Sequence, residues 1–88
     1  MIYIICEARR LIKREVNFKD NSWTEYSLKV ELENGQDMYL LLTKNLVNDE
    51  NIKALEDLKG KDITVICSFS HKGQYLNWYL NEIPQVEA

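Results

Sequence analysis

VNDENIKALEDLKG, Val47 to Gly60, is where the hydrophobic pattern of this chain changes period. Ile52, Leu55 and Leu58 recur every three residues, Asn48 can cap the start, Asp49 and Glu50 suit the positive end of a helix dipole, and Lys59-Gly60 closes the far end. Val47 and Ile52 stand at hydrophobic-staple spacing. The stretch predicts one short amphipathic helix, and on both sides of it the period is that of strands. Ahead of it, Tyr26, Leu28, Val30 and Leu32 alternate with Glu25, Ser27, Lys29 and Glu31, as in a strand with one dry and one wet face. Asn34-Gly35 then predicts a type I′ hairpin turn, and Gln36 to Thr43 a third strand with Met38, Leu40 and Leu42 inward. Met1 to about Val16 reads as one long first strand, curved because its apolar positions change phase near Arg9 and Arg10. Lys19 to Ser22 is a polar break. Past the helix, Ile63, Val65, Cys67 and Phe69 alternate with Thr64, Ile66, Ser68 and Ser70. His71 to Gln74 turns into a fifth strand, Tyr75 to Ile83, which Pro84 ends.

Strand, strand, strand, helix, strand, strand is the connectivity of the OB-fold, a partly open Greek-key barrel. The expected fold is therefore mainly β: a five-stranded antiparallel OB-fold barrel with one short helix between strands 3 and 4, filling residues 1–88 as a single domain. An SH3-like or other small barrel with a helical insertion is the alternative. A chain of 88 residues buries only about 60 to 65% of its unfolded surface, which leaves room for one modest core. Hydrophobic residues at 45% and charged residues at 28% are ordinary for a globular domain, so disorder and low complexity are disfavoured. The apolar start, Met1 to Cys6, is too short to span a membrane and lacks the marks of a signal peptide, so a cytoplasmic protein with no membrane partner is expected.

A net charge of -3 speaks against gripping nucleic acid by bulk positive charge. The charges are nevertheless segregated. Arg9, Arg10, Lys13, Arg14 and Lys19 lie near the start, while Glu31, Glu33, Asp37, Asp49, Glu50, Glu56 and Asp57 crowd the middle and offer a surface to a basic protein partner. The basic set reads equally well as a solvated strand face paired with Glu7, Glu15 or the acidic helix. Cys6 and Cys67 make no zinc pattern and read as small core residues, His71 is the lone histidine, and no phosphate loop or nucleophile motif is present. Neither catalysis nor a cofactor is expected.

The aromatic residues carry the functional signal. Lys29 and Tyr39 are out of phase with the apolar rows and are predicted to face outward. Trp23 opens the second strand beside Phe18 and Lys19. In the fifth strand, Leu76, Trp78 and Leu80 form the better core face, while Tyr75 and Tyr79 share the other with Asn77 and Asn81, either as cross-strand pairs or as stacking platforms. Rings interleaved with cations, with Lys72 at the last turn, are what a sequence-tolerant single-strand binder uses.

The chain resembles the single-stranded DNA-binding proteins of filamentous bacteriophages in Tyr26-Ser27-Leu28 and in Ser68-Phe69 followed by Gly73-Gln74-Tyr75. The resemblance implies an OB-type dimer in which Tyr26 and Tyr75 stack on bases and Arg14 and Lys19 meet phosphates. The chain departs from that family in a longer turn before Gly73, in its helix and in its negative charge. Leu58 to Ile63 is similar to the approach to strand four of bacterial-type single-strand binding proteins. Tyr26, in phase with Leu28 and Val30, is also a candidate cap on the core. The expected ligand is thus single-stranded DNA, with RNA as an alternative, bound by a homodimer or higher homo-oligomer acting in phage or mobile-element replication. The expected site is Arg9, Arg14, Lys19, Trp23, Tyr26, Lys29, Tyr39, Lys72, Tyr75 and Tyr79. A protein-interaction barrel is the competing expectation.

Overall fold

The computed structural model describes residues 2–73 and 75–86, with the side chains of Lys72, Tyr75 and Gln85 outside the description. The chain runs β1 (Ile2–Phe18), β2 (Asn21–Leu32), β3 (Asp37–Leu42), a 3-10 turn (Lys44–Leu46), α1 (Asp49–Glu56), β4 (Asp62–Lys72), β5 (Tyr75–Leu80) and β6 (Gln85–Val86). All strands belong to one mixed sheet in the order β1-β2-β3-β5-β4-β6, and β1 also pairs with β4. The five long strands thus form a ring of pairings.

Two features correct the expected all-antiparallel barrel. A ring of five strands cannot alternate direction all the way round, so one junction must be parallel, and here it is β3 with β5. That junction holds only Leu41↔Tyr79 and Leu42↔Leu80, so the closure is not that of a regular barrel. The predicted fifth strand also stops at Leu80 rather than Ile83, and the chain resumes after Pro84 as β6, pairing Ile63↔Val86 and Thr64↔Gln85. Proline can precede a strand in this way because its missing N–H falls outside the ladder.

The bend expected near Arg9 is a β-bulge. Ala8 pairs with Val30 and Arg10 with Lys29, leaving Arg9 as the extra residue. The bulge switches β1 from one phase to the other, so Ala8 and Leu11 can both face inward. Cys6, Ala8, Leu28, Val30, Leu40, Ile63, Val65, Cys67 and Leu80 form the buried cluster, and Met38, Leu42 and Trp78 pack against it.

The helix caps as the sequence predicts: the Asn48 side chain accepts from the Asn51 amide at 2.8 Å, a contact whose removal costs about 1 kcal/mol. Leu55 and Leu58 enter the core, each burial contributing about 1.5–3 kcal/mol. The helix ends at Glu56, short of the predicted Lys59-Gly60 closure, and Gly60, at φ 80°, lies in the turn that follows, where its N–H donates to the Ala8 carbonyl at 2.7 Å. Ala8 N–H in turn donates to Lys61 O at 2.9 Å. The helix exit is therefore stitched to β1 beside the bulge.

The turn between β2 and β3 differs from the type I′ expectation. The Gly35 N–H donates to Leu32 O at 2.9 Å and Leu32 N–H to Gln36 O at 2.8 Å, which makes a three-residue loop, Glu33 to Gly35. Gly35 has φ 86°, whereas Asn34 keeps a negative φ and accepts from the Gln36 amide at 3.1 Å. This is a type I turn followed by a left-handed glycine, the usual three-residue hairpin.

Two antiparallel ribbons leave the ring. Pairing of β1 to β4 ends at Glu7 and that of β2 to β3 begins at Ser27, so Lys13 to Phe18 and Asn21 to Tyr26 stand as a two-stranded hairpin. Its turn is Lys19-Asp20, with Lys19 at φ 56°. The second ribbon is Phe69 to Lys72 against Tyr75 to Trp78. These arms account for extents of 45 × 31 × 21 Å and a radius of gyration of 13.2 Å, against roughly 12 Å for a compact chain of this length.

Candidate functional site

Antiparallel partners lie on the same face of a sheet, so the register assigns each outward side chain to a row. Arg10, Lys29 and Tyr39 make one row across β1, β2 and β3. The next outward row is Ile12, Ser27, Leu41, Tyr79 and Ser68, which crosses all five long strands. Beyond it, on the first ribbon, come Arg14 with Glu25 and then Val16 with Trp23. Tyr39 is 52% exposed and Trp23 44%, while Tyr79 is half-buried. The face therefore carries two open rings, one partly covered ring and three cations.

Acidic partners already hold several of these cations. Lys29 Nζ lies 3.7 Å from Asp37 Oδ2, and Arg14 Nη2 donates to Glu25 Oε2 at 2.9 Å. Glu25 also accepts from the Trp23 indole N–H at 3.1 Å through its other oxygen. Arg9, the bulge residue, pairs with Glu31 and, at 3.5 Å, with Glu7. The Glu31 carboxylate, hydrogen-bonded to the guanidinium, pushes the Arg9 pKa further up. The pair with Glu7 is one that the sequence suggests, while among the described residues no ion pair joins the basic strand to Glu15 or to the acidic helix. Among the described residues Arg10, Lys13 and Lys19 form no ion pair, and Lys19 Nζ sits 5.5 Å from the Phe18 ring centre.

Of the expected site residues, the register brings Arg14, Trp23, Lys29, Tyr39 and Tyr79 to this face, with Lys19 at the ribbon tip and Arg9 at the acidic margin. Tyr26 is half-buried on the opposite face of β2, in phase with Leu28. The side chains of Lys72 and Tyr75 lie outside the described residues. Arg10 and Leu41 were not singled out by sequence reasoning as members of the site. The pairing register alone places them there, since Arg10 follows a bulge and Leu41 looks like an interruption of polar alternation.

No protein-family model, curated protein or solved structure matches this chain. The geometry therefore carries the functional argument.

Two other places have a chemistry of their own. Among the described residues no group of His, Cys, Asp or Glu is arranged to hold a metal ion, and no helix is long and apolar enough to cross a membrane. Both cysteines are buried and free. Burial, reinforced by the neighbouring Cys67 thiol, pushes Cys6 from 9.0 up to about 11, and burial also raises Cys67. Thiols held neutral in this way are poor nucleophiles. The unfolded chain loses its thiol protons first as pH rises, so it binds fewer protons than the folded chain between about pH 9 and pH 11, and stability falls across that window. Denaturant melts at stepped pH should show a shallower fall for Cys6→Ala than for the parent chain. An equal fall in both would remove Cys6 as its source.

Proposed function

We propose that the chain binds single-stranded nucleic acid without sequence preference, on an OB-like barrel, through its outward β1-β2-β3 face. The observation that carries this reading is Tyr39, an open ring paired directly with Lys29 and in row with Arg10. An unpaired base offers a π-face to such a ring, worth about 1 to 3 kcal/mol, while the neighbouring cations meet the phosphates. The fold supports it. Three strands, a helix and two further strands in a near-closed ring have OB connectivity, and OB barrels use the strand 2–3 face and the first and last hairpins for oligonucleotides. Here those hairpins are the two projecting ribbons. Single-stranded DNA is the favoured ligand on the filamentous-phage resemblance, which also supports a role in phage or mobile-element replication and a dimeric or larger assembly.

One observation favours a second reading, a protein-interaction barrel: Arg9, Arg14 and Lys29 are already neutralised by carboxylates of the same chain. Titration with oligo-dT separates the two. Binding should quench tryptophan and tyrosine fluorescence, with a logarithmic salt slope of about -0.7 per phosphate contacted. A folded sample that shows no quench at low salt supports the protein partner instead. A parallel oligo-U titration distinguishes DNA from RNA preference.

A further inference from the structure

We propose that Glu25 is an electrostatic gate on this face, holding Arg14 from phosphate until a polynucleotide displaces it. The inference rests on the nucleic-acid reading. Glu25 is placed by β2 so that one carboxylate oxygen accepts from Arg14 Nη2 at 2.9 Å and the other from Trp23 Nε1 at 3.1 Å. Trp23 and Glu25 are two residues apart on one strand and share its outward face, while Arg14 is the direct cross-strand partner of Glu25. A single acid thus neutralises the cation that a phosphate would need and, through the in-plane indole N–H, tethers the edge of the neighbouring ring. The Arg14 side chain is 70% exposed and that of Glu25 31%, so the pair is weak enough for a competing phosphate to break. Displacement leaves a carboxylate beside the strand, which costs affinity at low salt and less at high salt, where the repulsion is screened.

Glu15 supplies the internal control. It lies on the same ribbon, opposite Thr24, and its outward phase is the reverse of that of Arg14 and Glu25. Glu15→Gln removes the same charge without opening the gate. The expected result is that Glu25→Gln binds oligo-dT about three- to tenfold tighter than the parent at low salt, with a salt slope steeper by about 0.7, the increment for one more phosphate contact. Glu15→Gln should leave that slope unchanged. Arg14→Ala should cost little in the parent and should erase the gain in the Glu25→Gln background.

If the parent binds but Glu25→Gln keeps its slope, or Arg14→Ala costs the same in both backgrounds, the gate is overturned and the binding face stands. If neither parent nor Glu25→Gln binds any oligonucleotide, both fall.

Discussion

Tyr39→Ala is expected to weaken oligo-dT binding about 5- to 150-fold while the protein stays folded. The ring stands outward on β3, half open to solvent, so its removal forfeits stacking worth about 1 to 3 kcal/mol, at 1.4 kcal/mol per tenfold. Its contribution to the fold is limited to the cross-strand pair with Lys29, which is worth less than about 1 kcal/mol. Fluorescence titration and a thermal melt on the same sample read both effects. Unchanged affinity would remove Tyr39 from the site, and a collapse of the melt would make it a structural ring.

The next residue along β3 should do the opposite. Leu40 is fully buried between Leu28 and the rest of the core, one position from Tyr39 and on the other side of the pleat. Leu40→Ala removes apolar contact and leaves a cavity, at a cost of about 2 to 5 kcal/mol. A domain of this size has in total roughly 4 to 13 kcal/mol of stability. The melting temperature should therefore drop by roughly 10 to 30 °C. A drop of a few degrees would mean that the interior can collapse around the gap, and that the core is looser than the buried cluster implies.

Tyr39 and Leu40 also show which parts of the molecule the sequence makes legible. Where a strand has one dry and one wet face, alternation assigns faces correctly, and Lys29, Tyr39, Leu28 and Leu40 all lie as their phase predicts. The start of the helix is equally readable, because its period and its Asn48 cap are local signals, whereas its end falls at Glu56 rather than at Gly60.

Alternation does not reveal where a strand outruns its neighbours. Phe69 and Leu76 share the phase of Cys67 and Leu80, yet they are 55% and 50% exposed, because the second ribbon extends past the ring that buries the rest. Phe69 instead packs on Trp78, with ring centres 5.3 Å apart. The turn at Gly35 departs from its local signal for a related reason. The Asn-Gly pair announces a hairpin, but the register that brings Glu31 opposite Asp37 requires three loop residues. The parallel β3–β5 junction depends on ring closure, a non-local property that no window of sequence contains.

The candidate site divides in the same way. Lys29 and Tyr39 are legible from phase and Trp23 from its place at the start of β2, but apart from Glu7 the carboxylates that hold the cations are not. Glu25 meets Arg14 from eleven positions away and Glu31 meets Arg9 from twenty-two, across a register set partly by the bulge.

Unpaired bases are proposed to settle on the outward face of β1, β2 and β3. The oligo-dT titration read residue by residue, as backbone amide chemical shifts, tests it most directly. The largest shifts are expected on Arg10, Trp23, Lys29, Tyr39 and Tyr79. Shifts centred on Tyr3, Ile5 and Ile66, which the register places on the β1–β4 side of the ring, would contradict it, as would no shift at all at low salt.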